Sequence, residues 1–87
     1  MIANEAALAA RTKRLPDLFA DRVQGVDLDG LQSMAWGGEW AELLDLLIAA
    51  LRLNGATITA EEHDLLRDLL TGWGLPADQL DDLVVSQ

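Results

Sequence analysis

The sequence predicts an all-α fold: a compact bundle of about five short helices around a central apolar helix at about residues 38–53. Three observations predict it. Leucine occupies eighteen of the 87 positions and alanine thirteen, while only eleven residues are β-branched, a balance that favours helix over sheet. The apolar residues Trp40, Leu43, Leu44, Leu47, Ile48 and Leu51 recur at i, i+3, i+4, i+7, i+8 and i+11, the period of a helix with a buried face. Thr59 and Glu62 stand at the spacing of a capping box ahead of a leucine run. A chain of this length makes one domain, residues 1–87, and buries roughly two-thirds of its unfolded surface.

The elements follow in order. Residues 4–14 are alanine-rich with spaced polar residues, hence helical by propensity. Pro16 ends or kinks that helix, because it lacks a backbone donor and crowds the preceding turn. Asp17 to Gln24 can form a second short helix closed by Gly25. Asp27 is a plausible N-cap for a third, with Leu28, Leu31 and Ala35 on one face. In the fourth helix a second apolar set, Leu46, Ala49, Ala50 and Leu53, leaves only a narrow polar strip of Glu42, Asp45 and Arg52. A helix apolar over most of its circumference is normally central. Asn54-Gly55 marks its stop and turn. The fifth helix presents Leu65, Leu66, Leu69, Leu70 and Trp73 on one face and stops at Gly74. Pro76 opens a short last helix through Leu83, and no convincing strand is expected.

Composition excludes several function classes. With no cysteine, neither a disulfide-stapled miniprotein nor a cysteine-ligated zinc domain is possible. A net charge of −9 argues against direct binding of nucleic acid through bulk charge. No apolar run reaches the roughly 18 residues of a membrane span. Arg11, Lys13 and Arg14 follow the N-terminal apolar stretch, whereas a secretory signal carries its bases before it. The expectation is a cytoplasmic protein with no membrane partner.

The chemistry-bearing residues are sparse. His63 has Leu66 and Arg67 where a second metal ligand would stand. Asp27-Leu28-Asp29-Gly30 places glycine fourth, not sixth, and Gly38 where a calcium loop needs glutamate. Ser33, in Leu-Gln-Ser-Met, lacks the Asp-Ser-Leu setting of a carrier-protein serine. There is no Gly-x-Ser-x-Gly and no glycine-rich phosphate loop. No cofactor is expected, and the protein is not expected to be an enzyme. Trp36, Trp40 and Trp73 are core candidates, with Trp36, at a glycine-rich corner, the best candidate for an interface anchor.

Charge is the anomaly. Residues 1–14 hold three bases and one acid, and residues 15–87 hold three bases and fourteen acids. Glu61, Asp64 and Asp68 line one side of the fifth helix at i, i+3 and i+7, and Asp78, Asp81 and Asp82 cluster behind it. Like charges at i, i+4 cost a few tenths of a kcal/mol, roughly. A solvated face would explain them, and so would a cationic partner held in register. Glu39 and Glu42 form a second acidic patch.

Part of the chain resembles a known family. Gly38-Glu39-Trp40 opens the helix Leu43-Leu44-x-x-Leu47-Ile48-x-x-Leu51; Asn54-Gly55-Ala56-Thr57-Ile58-Thr59-Ala60-Glu61-Glu62 follows, then Leu65, Leu69 and Gly74-Leu75. Residues 38–75 thus resemble small bacterial immunity proteins of the MafI type and related contact-dependent-inhibition immunity proteins. The resemblance implies a compact helical protein that binds a cognate toxin domain, a nuclease or other enzyme with a cationic site, and blocks it. On that expectation Glu61, Asp64, Asp68, Asp78, Asp81 and Asp82, then Glu39, Glu42 and Trp36, are the partner-binding residues. The alternative is a helical adaptor or homodimerisation module.

Overall fold

The computed structural model describes residues 5–86. Glu5–Lys13 form α1, with Glu5 in the first turn and Arg11 and Lys13 in the last, the arrangement a helix dipole favours. Asn4, the first residue of the expected helix, lies outside the described residues. Pro16 does interrupt this helix, but it also opens the next. It stands in the first turn of the one-turn helix α2, Leu15–Leu18, where its missing N–H has no helical acceptor to lose.

The expected helix over Asp17–Gln24 does not form as one piece. After α2 the chain makes a 3-10 turn, Ala20–Arg22, and becomes extended at Val23. Phe19 is fully buried at the junction, so core packing overrides the local helical preference. Gly25 therefore does not close this segment; it opens α3, Gly25–Gly37. The N-cap of α3 is Gln24, whose carbonyl accepts from the Leu28 N–H at 2.8 Å, and Asp27 lies inside the first turn.

Gly38 separates α3 from α4. It adopts φ 72°, and the Glu39 N–H reaches back to the Met34 carbonyl at 2.9 Å. That closure needs a left-handed residue, which glycine supplies without the Cβ clash. The fourth helix, α4, accordingly runs Trp40–Leu53 and not from Gly38. It is the centre of the fold: Leu43, Leu44, Leu47, Ile48, Ala50 and Leu51 are buried, against three buried residues on α5 and two on α3. Its apolar circumference is not covered all round: Ala49 is exposed and Leu53 is 86% exposed. Asn54 and Gly55, at φ 61°, make the predicted turn.

Two short strands correct the expectation of none. Thr57–Ile58, β1, pairs in parallel with Val84–Val85, β2, in the register Thr57 to Val84 and Ile58 to Val85. The Ser86 N–H extends the pairing to the Ile58 carbonyl at 2.8 Å. A parallel pair requires a long crossover, and residues 59–83 provide it. Within the crossover lies α5, Ala60–Gly72, opened by the predicted capping box: Thr59 Oγ1 accepts from the Glu62 N–H, and the Glu62 carboxylate accepts from the Thr59 N–H. The chain then runs back along α5 to β2. The expected helix from Pro76 through Leu83 shrinks to the 3-10 turn Asp78–Leu80. Leu80 and Leu83 are both buried, a three-residue spacing that suits the tighter turn, and the backbone must extend by Val84 to meet β1.

The all-α bundle is thus present, with α4 packed on α3 and α1 and sharing one core with the buried leucines of α5. Among the described residues no helix is long and apolar enough to cross a membrane.

Candidate functional site

The most highly connected polar group is one that sequence reasoning passed over. Arg22, at the end of the 3-10 turn, grips both carboxylate oxygens of Glu62, with Nη2 at 2.7 Å from Oε2. Its Nε bonds Asp21 at 3.2 Å, and Nη2 bonds the Leu18 carbonyl at 3.2 Å. The guanidinium also lies 4.7 Å over the Phe19 ring. The pair is largely buried, with the two side chains 22% and 15% exposed. The Arg22 hydrogen bond holds the Glu62 carboxyl below the usual carboxylate range, and that carboxylate raises Arg22 in turn. Glu62 therefore serves two structural roles, as helix cap and as ion-pair partner. This clasp joins the chain before α3 to the start of α5.

A second polar bridge lies under α1. Thr12 is fully buried; its hydroxyl donates to the Leu8 carbonyl at 2.8 Å and accepts from the Trp73 indole N–H at 3.0 Å. Trp73 stacks on Trp40 with ring centroids 6.1 Å apart. Two of the three tryptophans thus pack against the core, and Trp36 does not: it is 87% exposed.

The acidic residues singled out from the sequence fall into separate places. Glu61, Asp64 and Asp68 share the exposed outer side of α5, opposite its buried leucines. Arg67 pairs with Asp64 at 2.8 Å, while Glu61 and Asp68 have no ion-pair partner among the described residues. Asp78, Asp81 and Asp82 are exposed on the returning segment, whose 3-10 turn packs against α5. Asp82 stands 3.7 Å from Arg52 of α4, and Arg52 also bonds the Gln79 carbonyl at 2.7 Å. All three bases of residues 15–87 are therefore engaged by acids of the same segment. Glu39 and Glu42 lie at the opposite end of α4 from Arg52, roughly 15–20 Å away at 1.5 Å per residue. Trp36 borders a groove of about 350 Å³ formed with Ala9, Ala10, Lys13 and Trp40.

The acids on α5 are exposed on a convex helix, so they can attract a cationic surface but cannot enclose a small substrate. Groups of three or more His, Cys, Asp or Glu able to hold a metal are absent among the described residues. His63 is half-buried beside the clasp residue Glu62. Asp21, one of the like-charged pair Asp17 and Asp21, is engaged by Arg22 and is part of the clasp.

The signal for the clasp was visible in outline. Arg22 is the only base between Arg14 and Arg52, in a stretch crowded with acids, and a lone arginine next to a buried phenylalanine is a natural ion-pair hub. The strands were signalled by Thr57-Ile58-Thr59 and Val84-Val85, which hold five of the eleven β-branched residues. Comparison of the chain with protein-family models, with curated proteins and with solved structures finds no match in any of the three.

Proposed function

We propose that this protein is an immunity protein: it binds a cognate bacterial toxin domain through the outer acidic face of α5 and blocks it without catalysis of its own. The observation that carries the reading is the exposed row Glu61, Asp64 and Asp68, only one member of which has an internal cation among the described residues. Such a row attracts a basic surface, accelerates encounter and fixes register. The resemblance of residues 38–75 to MafI-type immunity proteins supplies the biological setting. The toxin would carry a cationic site, as nucleases do, and the complex would form in the cytoplasm of the producing cell.

The direct experiment is co-expression with the C-terminal toxin domain encoded beside this gene, followed by co-purification. Rescued growth with a stable complex supports the reading. A well-folded protein that gives neither rescue nor complex refutes it.

A second reading, a homodimerising adaptor, is favoured by Trp36, whose 87% exposure beside a groove is unusual for a side chain of this size. It predicts a dimer in sedimentation of the purified chain and loss of that dimer in Trp36→Ala.

A further inference from the structure

Two bases of the N-terminal segment, Arg11 and Arg14, lie across a groove from Leu65 of α5, beside that acidic row. Arg11 and Arg14 stand three residues apart at the end of α1. Neither has a carboxylate within 4 Å among the described residues, in a chain with fifteen acids. Together they edge an open groove of about 510 Å³ whose apolar walls are Leu15, Leu18 and Leu65. Leu15 is buried as the floor, Leu18 is 43% exposed on one wall, and Leu65 of α5 is half-buried on the other. The volume lies within the roughly 300–1,000 Å³ of binding clefts.

We propose that this groove docks an amphipathic acidic segment of a partner protein, a helix carrying carboxylates beside leucine-like side chains. The argument is charge complementarity joined to shape. Two guanidiniums at i, i+3 match carboxylates one helical turn apart, and each can bind one bidentately. The leucine walls require an aliphatic side chain, which a free anion does not offer. Asp17 on the rim, with Glu61 and Asp68 one turn either side of Leu65, disfavours a densely charged polyphosphate and confines a carboxylate to the α1 side. At physiological salt the remaining acids are screened beyond about 8 Å, so the net −9 does not prevent a short-range contact. The groove borders the acidic face of α5 at Leu65 but recognises its ligand through Arg11 and Arg14, and its test needs no toxin.

The test is an NMR titration of the full chain with three probes: a 14-residue helical peptide with Glu and Leu at helical spacing, the same peptide with Lys for Glu, and an oligodeoxythymidylate. The Glu/Leu peptide is expected to shift the amides of Leu18 and Leu65 and the Nε–H signals of Arg11 and Arg14 saturably. The Lys peptide should leave the arginine signals unmoved. The double variants Arg11→Glu with Arg14→Glu, and Arg11→Gln with Arg14→Gln, should each weaken binding about tenfold or more, with circular dichroism unchanged. Equal response to both peptides overturns the proposal, as does the absence of saturable shifts. Stronger displacement of the same signals by the oligonucleotide overturns it in favour of phosphate. Concentration-dependent shifts of these signals without any probe overturn it in favour of a second copy of the chain.

Discussion

One residue, His63, separates Glu62 from Asp64 on α5, and the helix turns them to opposite environments. Glu62 points inward, meets the fixed guanidinium of Arg22 and closes a capping box. Asp64 points outward with Glu61 and Asp68 and, among the described residues, has only the exposed Arg67. The difference teaches how a carboxylate acquires its role. A partly buried acid whose partner is fixed by several further bonds contributes to stability, while an exposed pair contributes about 0–1 kcal/mol and leaves its charge available to a partner. One helix can therefore carry stability on its inner side and recognition on its outer side, and the two can be altered separately.

The largest effect should come from the inner side. Leu69 is fully buried against the core. Leu69→Ala should destabilise by about 2–5 kcal/mol in urea unfolding. Next comes the clasp. Glu62→Ala removes both the cap and the partner of Arg22 and should cost about 2–3 kcal/mol. Its pH signature has a definite sign. Glu62 is held below its ordinary value of 4.5 in the folded state, so its contribution is full well above pH 4.5 and is lost as pH falls through the folded value. Glu62→Gln should therefore lose stability at neutral pH and converge on the parent at low pH. A constant difference across that range would remove the ion pair from the account. Thr12→Val leaves the Trp73 indole without its acceptor and should cost about 1–2 kcal/mol, with a changed tryptophan emission. The smallest effect belongs to the outer side. Asp68→Lys replaces a like-charged i, i+4 neighbour of Asp64 by an opposite one, so stability should rise by about 0.2–0.5 kcal/mol. A loss above about 1 kcal/mol would mean that the outer face is structural.

The fold was legible where local signals and tertiary packing agree. The apolar period of α4, the Thr59 and Glu62 box and the Asn54-Gly55 turn are each local, and each appears where the sequence places it. The errors lie where distant contacts decide. Phe19 enters the core and shortens the second helix; Val84 meets Thr57 and stretches the tail. Helical wheels also cannot show which sides of α4 are covered: Leu53 belongs to its second apolar set and is 86% exposed. For the candidate site, the exposure of Glu61, Asp64 and Asp68 followed from helical spacing alone.

The central claim, that the outer side of α5 binds and the inner side stabilises, is tested most directly by charge reversal at matched net charge. Glu61→Lys with Asp68→Lys and, as reference, Asp29→Lys with Asp45→Lys on α3 and α4 would be titrated against the neighbouring toxin domain at two salt concentrations. The account predicts that the α5 pair weakens binding by about thirtyfold or more, roughly 2 kcal/mol, and flattens the salt dependence, while the reference pair stays within about threefold. Equal losses for the two pairs, or a loss for the α5 pair accompanied by an equal loss of folding stability, would contradict it.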